Sequence, residues 1–197
     1  MQSNAKLART DLWSLEEYSE KRNDFRTKVL AHKKTRQVRL GEHATLYFED
    51  ALTMKYQVQE MLRIEKIFTG PEIEEELGAY NPLIPDGSNW KATFMIEYPD
   101  AEERRVALTK MPGIEHKVWV KVGDNDKIYA NANDDLERSN DEKASAVHFM
   151  RFELDPASIT AAQNGATISM GIDHEVLPYS VEVSAETAAS LAADFAS

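Results

Sequence analysis

The spacing of the apolar residues changes near Trp90, and that change constrains the fold more than any other feature of the chain. Upstream, apolar residues recur at helical intervals. Downstream, KATFMIEY, HKVWVKV, DKIYANA, SAVHFMRFEL, ATISMGID and YSVEV alternate or run apolar, as strands do. Between the two textures lies NPLIPDGSN, residues 81–89, with the turn signals Asn81-Pro82, Ile84-Pro85 and Pro85-Asp86-Gly87. No repeat or linker separates the halves. The expected architecture is one α+β domain over 1–197, helix-rich in 1–80 and strand-rich in 90–197. It should hold a mostly antiparallel sheet with the N-terminal helices packed against it.

The helical half can be read in detail. Ser14-Leu15-Glu16-Glu17 is a capping-box pattern, so a helix should start near Leu15 and run to about Lys34. RQVRLG and ATLYFED should form a hairpin around Gly41-Glu42-His43. A second helix is expected over about 51–68, stopped by Thr69-Gly70-Pro71, and then a short acidic helix, EIEEELGAY. Helical pieces should interrupt the strands at about 100–110, 156–164 and 184–195.

Polar residues inside the second helix raise the functional question. On a wheel at about 100° per residue, Ala51, Met54, Val58, Met61, Leu62, Ile64 and Phe68 form one apolar arc. Glu65 and Gln57 fall inside that arc, while Lys55, Gln59 and Lys66 take wet positions. On the first helix, Arg22 and Arg26 sit on or beside the face of Leu15, Tyr18, Phe25 and Val29. An unpaired buried carboxylate costs several kcal/mol. Glu65 is therefore expected to meet an arginine, as a structural pair or as part of a ligand pocket made by Glu65, Gln57, Arg22 and Arg26. Glu60 and Arg63 read as an exposed i,i+3 pair.

Charge and composition narrow the chemistry. The chain has no cysteine, which removes disulfides, thiolate metal sites and cysteine nucleophiles. No apolar run approaches the roughly 20 residues of a membrane span, and no apolar leader precedes residue 14, so a cytoplasmic location is expected. The net charge of −11 disfavours nucleic acid. Residues 21–39 nonetheless hold eight Lys or Arg against one Asp, +7, leaving −18 elsewhere. Lys33, Lys34 and Arg36 are a candidate docking patch for an acidic partner, and Leu83, Ile84 and Trp90 are candidate anchors in the Pro-rich loop. Phosphate-loop and dinucleotide motifs are missing. The histidines are scattered without metal-ligand spacing. His43 and His148 are weak metal candidates, and His148 alternates with Ala146, Met150 and Phe152 as a core histidine would. Arg151 and Glu153 should pair on the opposite face of that strand, and Asp173-His174-Glu175 sets acid and base groups together at a strand end.

Several segments are familiar together. LEEY at 15–18, FEDALTMKYQVQEMLRIEKIF, EELGAYNPLIPDGSNWKATFMIEYPDAEERR, SAVHFMRFEL and GIDHEVLPY resemble a bacterial family catalogued as domain of unknown function 3501, over nearly the whole chain. The resemblance carries no catalytic residues. It implies a redox or peroxide-defence setting, with a rubrerythrin-like or iron–sulfur oxidoreductase protein as partner, because genes of that family often stand beside genes for such proteins. Three functions follow as expectations: a non-catalytic accessory protein of such a system, a ligand-binding protein or enzyme with a pocket around Glu65, or a carboxylate/His metal protein.

Overall fold

A computed structural model describes residues 5–132 and 144–195. Ser14 caps α1, Leu15–Lys34, by accepting the Glu17 N–H, and Glu17 closes the capping box. The hairpin of β1, Gln37–Arg39, and β2, Ala44–Phe48, turns at Gly41, whose φ of 81° suits a residue without a Cβ. Asp50 then caps α2, Ala51–Glu65, through the Thr53 N–H at 2.9 Å. α3, Gly70–Tyr80, follows with Pro in its first turn.

The strand-rich half makes two antiparallel sheets rather than one. β3, Asn89–Ile96, and β7, Val147–Glu153, join the hairpin in a five-stranded sheet ordered β1-β2-β3-β7-β6, with β6 at Asn131–Ala132. β4, Val118–Val122, β5, Ile128–Tyr129, β8, Ile168–Ile172, and β9, Tyr179–Glu182, form a four-stranded sheet ordered β5-β4-β8-β9. Three short helices complete the set: α4, Ala101–Leu108, α5, Pro156–Gln163, and α6, Ala185–Ala192.

Strand alternation decides what each face does. Ala44, Leu46 and Phe48 of β2, Trp90, Ala92, Phe94 and Ile96 of β3, and Met150 and Phe152 of β7 are buried. They share one apolar core with Val118, Val120 and Val122 of β4 and with Ile168, Met170 and Ile172 of β8. Each large side chain fully buried there contributes roughly 1.5–3 kcal/mol. α6 closes this core: Trp90 donates its indole N–H to the Leu191 carbonyl at 2.9 Å, and its ring packs at a tilt against Phe195. The helices α1 to α3 keep apolar clusters of their own, around Tyr18, Phe25 and Val29 and around Val58, Leu62 and Leu77. No helix among the described residues is long and apolar enough to cross a membrane.

Candidate functional site

The carboxylate expected inside α2 is not Glu65. Glu65 ends the helix, is exposed, and has no hydrogen-bonding or ionic partner among the described residues. The reason lies in the next residue. Lys66 takes the left-handed conformation, φ 56°, so the helical wheel stops there and Phe68 never joins the arc. Ile64 and Phe68 are 58% and 72% exposed.

An Arg–Glu pair does join α1 to α2, five residues earlier at Glu60. Arg22 donates to both oxygens of Glu60, Nε to Oε1 at 2.7 Å and Nη2 to Oε2 at 2.9 Å. Tyr18 donates its hydroxyl to Oε1 at 2.7 Å, and Arg63 adds a contact at 3.2 Å. The Arg22 hydrogen bonds hold the Glu60 carboxyl down at about 2 against the opposing effect of burial. Arg26 is exposed and takes no part in this pair. Gln59, read as wet, is fully buried: its amide clasps Trp13, accepting the backbone N–H at 2.7 Å and donating to the carbonyl at 3.4 Å.

Arg36 is likewise not a surface residue. It is 1% exposed, on the inward side of the same alternation as Val38 and Leu40. Its guanidinium donates to the carbonyls of Phe48, Glu49 and Ser190, each at 3.1 Å, and to Asp194 Oδ2 at 2.5 Å. Asp50 Oδ2 lies 3.4 Å from Arg36 Nε and 2.5 Å from His32 Nε2. This hub pins the end of α1, the hairpin, the start of α2 and the end of α6 to one another. Burial tends to raise the Asp50 carboxyl, but the His32 and Arg36 contacts bring it below its ordinary value. At Asp194 burial prevails over Arg36 and pushes the carboxyl up to about 6. Ile84 and Trp90 are also fully buried, which takes both out of the surface expected for the Pro-rich loop. Leu83 stays half-buried, Lys33 is partly exposed and Lys34 is exposed.

The outward face of the five-stranded sheet is where the molecule opens. A groove of ≈ 410 Å³ separates it from the helices. Tyr47, Thr93, Met95, Val147 and Phe149 make its floor; Met54 and Gln57 of α2, Lys33 of α1, and Tyr80 and Leu83 enclose it. Gln57 lines this groove, while Glu65, Arg22 and Arg26, grouped with it in the expected pocket, do not. Glu49, only 9% exposed, belongs to this groove and is held by the hydroxyls of Thr53 at 2.7 Å and Thr93 at 3.1 Å. Among the described residues no Lys, Arg or His nitrogen comes within 4.0 Å of its carboxylate. Lys33 lines the groove with its ammonium 5.9 Å from the Tyr56 ring centre. Apolar walls with a few convergent polar groups are the usual make-up of a small-molecule site. Strand alternation puts Glu49 on the outward side with Thr45 and Tyr47, and that was the available signal.

The remaining candidates are occupied by neighbours. His148 is fully buried, with Nε2 2.9 Å from the Ser145 carbonyl, and His43 stacks on Tyr98 at 3.9 Å between ring centres. No group of three or more metal-ligating side chains occurs among the described residues. Arg151 and Glu153 pair at 2.6 Å, both well exposed. Asp173 accepts from Trp119, Lys127 and Tyr129, while His174 faces the Pro112 carbonyl.

Fold and site together define a two-sheet α+β protein with a helical lobe over one sheet face and a ligand-sized groove between them. The chain belongs to the family described as Protein of unknown function (DUF3501), whose match spans residues 6–195. A crystal structure from Burkholderia pseudomallei K96243, described as a novel protein of unknown function, is similar to it throughout. The two are 47% identical, with a TM-score of 0.93 over 98% of this chain and 100% of that one. No curated protein matches.

Proposed function

We propose that the protein binds a small amphiphilic organic cation in the groove between α2 and the five-stranded sheet. The observation that carries this reading is Glu49. A carboxylate enclosed without a cation costs several kcal/mol, and two neutral threonine hydroxyls offset only part of that. An ammonium group entering the groove would form the charge-assisted hydrogen bond that Glu49 lacks, while its hydrocarbon lies on Met95, Val147 and Phe149. Gln57 on the opposite wall offers a further polar contact.

Thermal unfolding with n-hexylamine and with hexanoate tests the reading. The amine should raise the transition temperature in proportion to its occupancy, the acid should not, and Glu49→Gln should abolish the response. Equal responses to both compounds, or none to either, would overturn it.

A second reading is an accessory protein that docks on a rubrerythrin-like or iron–sulfur oxidoreductase partner. It is supported by the basic end of α1, where Lys34 is exposed and Lys33 partly so. Reversing both charges should abolish capture of such a protein, and capture that ignores salt would count against this mode.

A further inference from the structure

The groove does not end at Tyr47. A second hollow of ≈ 780 Å³ continues along the same sheet face, and Tyr47, Met95 and Val147 line both. Two carboxylates line this second hollow: Glu42, which is exposed, and the partly buried Glu97. Glu97 accepts the Thr45 hydroxyl at 2.7 Å and the Tyr47 hydroxyl at 2.8 Å. Its cationic neighbours line the same hollow but hydrogen-bond elsewhere. Arg39 donates to the Glu42 carbonyl, Arg104 to the Tyr98 carbonyl, and His43 Nδ1 meets only the Glu97 backbone oxygen. Among the described residues no cationic nitrogen lies within 4.0 Å of the Glu97 carboxylate.

The strand register gives the spacing of the two acids. Thr93 faces Tyr47 and Thr45 faces Met95, so Thr93 and Thr45 are diagonal neighbours on one face. Such neighbours stand roughly 7–8 Å apart. Glu49 is one hydrogen bond from Thr93 and Glu97 is one hydrogen bond from Thr45. Adding one hydrogen bond of about 3 Å beyond each threonine puts the carboxylates about 13 Å apart, at the ends of a floor that Tyr47 and Met95 share. Two anions at that distance are too far apart to hold one ion, and the Tyr47 ring and the Met95 side chain line the surface between them.

We infer that this trough takes a linear diamine with an ammonium at each end and an unbranched hydrocarbon between. The inference rests on the binding reading above and adds a second point of attachment. After about 3 Å of hydrogen bond at each end, a chain of roughly four to six methylenes fits the remaining span. Charge complementarity favours this occupant over a monoamine, because each carboxylate gains one charge-assisted hydrogen bond. A single ammonium would leave Glu97 with its hydroxyls alone.

Isothermal titration of the full chain with α,ω-diamines of two to eight methylenes, and with n-hexylamine, decides the matter. At low salt, affinity should peak at four to six methylenes and exceed that of n-hexylamine by at least about tenfold. Glu97→Gln should reduce the best diamine to the monoamine level and leave n-hexylamine unchanged. Glu49→Gln should remove both. If n-hexylamine binds as well as every diamine, or affinity ignores chain length, the second point of attachment is refuted while the single-carboxylate reading stands. If no amine binds, both fall. The chain-length profile is read on the unaltered protein, so the decision does not depend on either variant folding.

Discussion

Glu49 and Asp50 are consecutive residues with opposite surroundings. Asp50 faces Arg36 and His32 and caps α2. Glu49 faces the groove with two threonine hydroxyls and no cation. One backbone step separates a carboxylate whose charge is fully answered within the fold from one whose charge is left for something outside it. The fold does not lack cations at this point, since Arg36 already donates to the Glu49 carbonyl at 3.1 Å. The guanidinium serves the backbone of Glu49, while its side chain meets only hydroxyls. Enclosure with neutralisation holds elements together; enclosure without it is what a binding site needs.

The largest loss of stability is expected at Arg36. Replacing it with Leu leaves Asp50 and Asp194 enclosed without their guanidinium, at a cost of roughly 3–5 kcal/mol. For a chain of this size that lowers the melting temperature by about 10 °C. Calorimetry of the variant is the check, and a loss under about 1 kcal/mol would remove the hub from the account.

The helical pair comes next. Glu60 titrates at about 2 in the folded chain against an ordinary 4.5. The unfolded chain binds the extra proton first, so stability from this group is complete above pH 4.5 and is lost as pH falls toward 2. With the carboxylate 14% exposed, the loss should be about 2–3 kcal/mol. Urea titrations across that window should show it in the parent and not in Glu60→Gln. Asp194 works in the opposite sense and in a different window. Its folded value of about 6 stands above the ordinary 3.8. Its contribution is therefore complete below pH 3.8 and disappears as pH rises to 6. Asp194→Asn should flatten that slope by about 1–2 kcal/mol.

Much of this architecture could be read from the chain, and the misreadings have physical causes. The capping box at Ser14, the hairpin at Gly41 and the switch of period at Trp90 are local signals, and the corresponding elements formed where they pointed. Alternation tells which residues of a strand face together, but not which strands become neighbours. Six strand-like segments therefore suggested one sheet where two share a core. Glu65 was misplaced because one left-handed residue, Lys66, ended the wheel early. Gln59 was misplaced because Trp13, 46 residues away, covers it. Arg36 shares parity with Val38 and Leu40, so its burial was visible in the alternation, yet a run of basic residues drew the reading to the surface. Glu49 had no such cue beyond its side of the strand, since an acid before a helix cap looks like solvated turn chemistry.

The smallest effect is expected where a charge is removed without a partner to orphan. Neither Glu49 nor Glu65 has a cation within reach among the described residues, but one is enclosed and the other is in solvent. Glu65→Leu should change stability by no more than about 0.5 kcal/mol, as surface substitutions do, and leave amine binding untouched. Glu49→Gln keeps shape and hydroxyl contacts while removing an enclosed charge, so stability should hold or rise by up to about 1 kcal/mol as amine binding disappears. A carboxylate whose removal strengthens the fold and ends binding is one kept for its ligand. Equal behaviour of the two variants in paired urea and titration experiments would mean that enclosure alone gives Glu49 no special role, and the groove would then have to be explained by its apolar floor.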